Sequence, residues 1–245
     1  VIVVASKVGH LKTVYQMMST NRVPTFFSDD YRFPVVNIFD PMSLKTWSTI
    51  RKVIMHFNEQ RIASLTLALA LFMVFQIALL AGIGLFHYDI LHSESLNLSD
   101  HLLFFAADAT LFLVIVCVVF SYSVRVNDQY RIHKDLVRIN KGIVMNMFRL
   151  YPSMVGSQPI KPQSYVYNLG YQMLLKEFGT NFSADELENR LQPLIEAYDH
   201  ILQDLEYEEA HYPLKLFGIP IRSTLLNSLI ALVFTSLSSL IKKYF

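Results

Sequence analysis

The chain has 245 residues, 53% of them hydrophobic and 17% charged, with a net charge of +1. Ordinary soluble domains carry about 25% charged residues, and the mean hydropathy here is +0.34, so composition argues for a membrane before any motif is read. The near-neutral balance, with no basic run interleaved with aromatics, excludes nucleic acid as an expected partner, and a single cysteine, Cys117, excludes an internal disulfide or a cysteine-built zinc site.

The chain opens on Val1-Ile2-Val3-Val4, which reads as the middle of an element. A processed or longer N-terminus is therefore expected. Residues 1–40 read as a partly irregular segment, with a strand over Val1–Ala5, a short helix over Leu11–Met18, and Pro24, Pro34 and Asp29-Asp30 as punctuation. Asp40-Pro41 is a helix start: the carboxylate caps free amides, and proline at the first helical position has no amide to lose. Over 41–61, Leu44, Trp47, Ile50, Ile54 and Phe57 recur at threes and fours, with Lys45, Arg51 and Lys52 on other faces. That pattern predicts an amphipathic helix lying in the bilayer interface with Trp47 as its anchor.

Ile62–Phe86 carries no charge. As a helix it spans roughly 37 Å, enough to cross a hydrocarbon core of about 30 Å with some tilt. Gln76 is its one strongly polar residue, and Ala78 and Gly82 offer a small-residue contact. Residues 87–101 form a short acidic loop, and 102–124 a second span broken only by Asp108. Beyond it Ile132, Leu136, Ile139, Ile143, Met147 and Leu150 continue the helical spacing, so one helix is expected to leave the membrane as an amphipathic stalk and end at Tyr151-Pro152. Pro159–Pro162 reads as a linker, and Ser164–Phe178 as a short helix stopped by Gly179. Ser183 caps the next helix, whose seam Leu187, Leu191, Leu194, Tyr198, Ile201 and Leu205 matches that of the stalk, predicting antiparallel pairing with the 164–178 helix on a third side. Tyr212-Pro213 and Gly218-Ile219-Pro220 interrupt the chain before a third apolar segment, 224–241, either a span or a re-entrant helix.

The expected fold class is thus an all-α integral membrane protein with three transmembrane helices and a helical cytoplasmic domain, 125–222, between the second and third. Lysines and arginines flank the first span on its N-terminal side and the second on its C-terminal side, and the 87–101 loop has none. The positive-inside rule places the N-terminus and the 125–222 domain in the cytoplasm or a matrix. Lys242 and Lys243 run mildly against this. Asn97-Leu98-Ser99 and Asn181-Phe182-Ser183 match the glycosylation triplet, and only the first falls on the expected outer side.

Asp108 lies about 9 Å inside its span, where a charge costs up to around 3 kcal/mol. No lysine or arginine occupies a span to pair with it. It reads either as part of an ion or proton pathway or as a neutral, hydrogen-bonded helix contact. Asn227, Ala231, Thr235 and Ser239 follow one another at i+4, with Ser228 and Ser238 beside them. Such a stripe packs helices closely or lines a wet path, and Gln76 has the same two readings. Glu208-Glu209-Ala210-His211 holds a Glu-x-x-His spacing, but without a second such pair it reads as a solvated acidic helix end and not a metal site. Hydrolase, zinc-protease and phosphate-loop motifs are absent from the sequence, so no enzymatic activity, metal or cofactor is expected. The function expected is a non-enzymatic subunit of a larger multi-helix membrane assembly, with the bilayer and other subunits or copies of itself as partners. The alternative is a pore-forming ion channel or transport oligomer whose path Asp108 and the 227–239 stripe would line.

Overall fold

The computed structural model describes residues 2–18, 36–57, 99–155, 165–179, 183–216 and 219–224, with scattered helical positions between 62 and 78 and between 226 and 235. Five helices and one ribbon are built from them: α1 (Ile2–Met18), α2 (Pro41–His56), α3 (Ser99–Val155), α4 (Tyr165–Phe178), α5 (Ala184–His211), and the two-residue strands β1 (Lys215–Leu216) and β2 (Ile219–Pro220). The chain is mostly helical, and the ribbon is its one described departure from an all-α fold. Among the described residues no helix is long and apolar enough to cross a membrane. The 62–86 and 224–241 segments lie largely outside the described residues, as do the side chains that open α3.

Local chemistry accounts for the helix ends. Asp40 accepts from the Met42 and Ser43 amides at the start of α2, and the Ser43 hydroxyl, donating at 2.7 Å, is the main reason its carboxyl is held below the usual range. Ser183 and Glu186 form a reciprocal capping box on α5. Gly179, with φ of 64°, takes the left-handed position that ends α4.

Two elements depart from expectation. Ile2–Ala5 are helical, not extended. Their β-branched run favours a strand locally, but Val4, Val8, Leu11, Val14 and Met18 are all buried at spacings of three and four, and that helical period prevails over local propensity. α3 runs three residues past Pro152. A proline removes one hydrogen bond, and the turn is retained while Tyr151 is buried with its hydroxyl within reach of Leu174 O and Gly179 O.

The chain divides into two compact units. The first comprises Val1–Val8, Asn58–Asn127 and Pro213–Phe245; the second comprises Gly9–Phe57 and Asp128–Tyr212. Of the domain read from sequence as 125–222, the second unit takes 128–212 and adds α2 and the part of α1 from Gly9, while 125–127 and 213–222 belong to the first unit. In the second unit one core joins Val14, Met18, Leu44 and Trp47 to Val137, Met147, Tyr151, Leu174, Leu194, Tyr198 and Leu205. Lys134–Glu209, Arg138–Glu206 and Lys141–Asp199 ion pairs fix α3 and α5 antiparallel. α2 runs parallel to α5: Tyr198 donates to Ile38 O at its start, and His56 meets Tyr212 at its end. α1 runs parallel to α3, with Leu11 beside His133 and Met18 beside Asn140.

In the first unit a small apolar cluster gathers Ala70, Val116, Phe120, Val124 and Ile221. Asn127 anchors the ribbon there. Its amide nitrogen donates to Leu214 O and Ile221 O, and its oxygen accepts from the Leu214 amide.

Candidate functional site

The second unit is closed around a buried polar cluster that sequence reading did not find. Arg51 belongs to the inward face of α2, not to a cationic flank: that face is Leu44, Trp47, Ser48, Arg51 and Met55, whereas Ile50 and Phe57 of the expected apolar stripe are exposed. Arg51 Nη1 donates to Glu208 Oε2 at 2.5 Å, with the two side chains 2% and 6% exposed. Its Nε donates to His133 Nδ1 at 3.0 Å. Nδ1 must then be unprotonated, so Nε2 carries the proton and donates to Leu11 O at 3.2 Å. Burial first, and the Arg51 charge second, lower the His133 pKa to about 3. The Tyr130 ring covers the guanidinium, 5.3 Å from its carbon. Nη2 of Arg51 meets no hydrogen-bond acceptor among the described residues.

The same chemistry holds α1. Leu11 O, Val14 O and Met18 O accept from His133, Trp47 Nε1 (2.9 Å) and Asn140 Nδ2 (2.9 Å). Trp47 and His133 pack edge to face, with centroids 5.8 Å apart. Four helices are thus clamped through side chains with almost no exposed surface.

Two expectations are corrected here. Trp47 is fully buried, and an indole with no exposed surface and its N–H given to Val14 O does not sit in a headgroup layer. Glu208 is not part of a solvated helix end, because it is 4% exposed and paired with Arg51. His211 instead stacks on Tyr207 at 4.0 Å and its Nδ1 contacts Tyr207 O, on the exposed surface. The Glu-x-x-His pair therefore does not converge on a ligand. Among the described residues no group of three or more His, Cys, Asp or Glu side chains is placed to hold a metal.

The polar residues expected within the spans all belong to the first unit. Asp108 falls within α3, and its side chain lies outside the described residues. Gln76 and Ser239 lie outside them too, as do Asn97 and Asn181 of the glycosylation triplets. Asn227 and Thr235 are both exposed, and the Thr235 hydroxyl donates to Ala231 O at 2.8 Å. An open depression lined by Glu177, Phe178, Glu186, Asn189 and Arg190 interrupts the surface of the second unit, but its Arg190 and Glu177 pair with each other at 2.9 Å.

The cluster offers little chemistry to a substrate. Both His133 nitrogens are engaged, the Arg51–Glu208 pair is sealed from solvent, and a neutral histidine with a pKa near 3 is poorly matched to proton transfer near neutrality. Its role is to fix the positions of α1, α2, α3 and α5. No family model, curated protein or solved structure matches the chain.

Proposed function

We propose that this chain is a non-enzymatic, membrane-embedded subunit of a larger assembly, with the second unit as its folded extramembrane domain and the apolar segments as its contacts with lipid and partner helices. The observation that carries the reading is how differently the two units treat their surfaces. The second unit closes round one large apolar core and carries ion pairs between its helices, with apolar residues such as Met42, Val53 and Ile139 exposed among them. In the first unit Leu67, Leu71, Phe72, Val74 and Phe75, and Val114, Ile115 and Val118 on α3, are exposed, while the residues packed inward are equally apolar. Helices apolar on all sides belong in a core or a bilayer, and an exposed apolar surface of this extent marks a membrane or partner interface.

The three spans expected over 62–86, 102–124 and 224–241 follow on this reading, and the distribution of basic residues supports a cytoplasmic or matrix side for the second unit. A pore-forming oligomer is the second reading. It is favoured by the exposure of both Asn227 and Thr235, which share one helical face and would gain cover from a neighbouring copy. Washing isolated membranes with alkaline carbonate tests the shared premise. An embedded subunit stays in the pellet, and release into the supernatant would contradict both readings.

A further inference from the structure

All the chain passages into and out of the second unit gather at one end of its bundle. The His56 and Tyr212 rings meet edge to face with centroids 5.4 Å apart, bringing the C-terminal ends of α2 and α5 together. The Tyr130 hydroxyl donates to Tyr212 O at 3.1 Å, which sets the start of the α3 portion, at Asp128, beside them. His133 holds Leu11 O, so the start of the α1 portion, at Gly9, is close by as well. Phe57 and Tyr212 are the residues at which the unit's two segments end.

Among the described residues, the second unit's exposed phenyl and phenol rings gather at this end. Phe57 is 64% exposed, Tyr207 55% and Tyr212 44%, and His56 and His211 are exposed among them. The rings pack on one another: Tyr207 stacks on His211 at 4.0 Å and lies 6.0 Å from Tyr212. Elsewhere the outer faces of α3 and α5 carry ion-paired lysines, arginines and carboxylates, with aliphatic residues such as Ile139 and Leu150 exposed between them on α3. The uncharged run from Ile62 begins five residues after Phe57. On α3, just before the unit begins, the Arg125 guanidinium lies 5.5 Å from the Tyr122 ring, a cation–aromatic pair where the apolar run gives out.

We infer that this aromatic end, with Phe57, Tyr207 and Tyr212 at its centre and the two histidines between them, is the surface by which the second unit seats on the headgroup layer of a lipid bilayer. Tyrosine pairs an apolar ring with a polar hydroxyl, which suits the boundary between hydrocarbon and water. The chain supports the same end: the connections towards the uncharged runs 62–86 and 102–124 leave from it, at Phe57 and Asp128. The anchoring role that sequence assigns to Trp47 is carried instead by the exposed Phe57 ring at the end of α2 and by Tyr207 and Tyr212 at the end of α5. The inference rests on the membrane-embedded reading proposed above.

Trp47 is the only tryptophan of the chain and is fully buried, so an added tryptophan can be read against it. The full chain carrying Phe57→Trp, or Tyr207→Trp as an independent second probe, is reconstituted into phosphatidylcholine vesicles whose acyl chains are brominated near the headgroup. Leu150→Trp, at an exposed site towards the other end of the α3 portion, is the control. The inference predicts that the added emission at 57 and at 207 is mostly lost to bromine quenching, while that at 150 and that of Trp47 itself persist. Protein that withstands a carbonate wash, yet whose Phe57→Trp and Tyr207→Trp emission is unquenched, overturns this inference and leaves the embedded reading standing. Blue-shifted but unquenched emission would mean that a protein surface covers the patch, which also overturns it. Release of the protein by carbonate would bring down the embedded reading itself.

Discussion

His133 is the residue whose environment has the clearest solution consequence. Folding holds its pKa near 3 against 6.5 for a free imidazole. The unfolded chain therefore binds a proton that the folded one does not between those values. Stability from this group is intact above pH 6.5 and falls as the pH drops towards 3, by about 1.4 kcal/mol per unit once well below 6.5. Between pH 7 and pH 5 the loss comes to about 2 kcal/mol. Urea unfolding followed at Trp47 should show it, and His133→Gln should flatten the slope over that range. A wild-type midpoint indifferent to pH between 7 and 5 would show that the imidazole is not held neutral. Arg51 and Glu208 make a second test. Removing one partner leaves a buried uncompensated charge, so Arg51→Met or Glu208→Gln should each cost about 3–5 kcal/mol, whereas Arg51→Met with Glu208→Leu should recover most of that loss. Additive losses in the double variant would show that the pair is not coupled as the 2.5 Å contact implies.

At the scale of elements, close packing rather than propensity sets the positions. α4 lies so near Phe39 that a Cβ built on Gly170 would come within 2.5 Å of the Phe39 ring, which is itself 4% exposed and has little room to move. Gly170→Ala should therefore destabilise the second unit by about 1–3 kcal/mol through overpacking, although alanine is the better helix former. The same variant made with Phe39→Leu should lose less, and equal losses in the two backgrounds would contradict the packing argument. Capping was legible in sequence at Asp40 and Ser183 because a cap is a local device of three or four residues. The buried face of α2 was not. Its periodicity admits two apolar stripes, and an arginine counted as cationic flank belongs to the inner one. What turns the helix is Glu208, 157 positions away, and a partner at that separation leaves no local trace. Val1–Ala5 misled for the opposite reason: the local β-branched signal is strong, and the buried helical spacing that overrides it becomes visible only with Val8, Leu11 and Val14 included.

For the whole molecule, composition carried more than any motif. The uneven charge separates 62–86 and 102–124 from the stalk and from α5, and the described part of the first unit keeps the same character, with apolar residues both inside and out. Asp108, Gln76, Asn227, Thr235 and Ser239 each stand out singly as polar residues in apolar segments, and nothing in the sequence says which of them meet, because such meetings depend on helix rotation and on partners outside the chain. The aromatic end of the second unit was likewise invisible, since its members come from the ends of α2 and α5 and meet only when those helices lie parallel. On the proposed reading this chain works embedded in a membrane beside other polypeptides, and the native particle extracted from carbonate-washed membranes is the decisive test. Mass photometry with mass spectrometry of the components should find this chain in the washed membranes, within a particle made largely of other proteins. Recovery of the chain in the carbonate supernatant, or in a symmetric particle built from this chain alone, would contradict it.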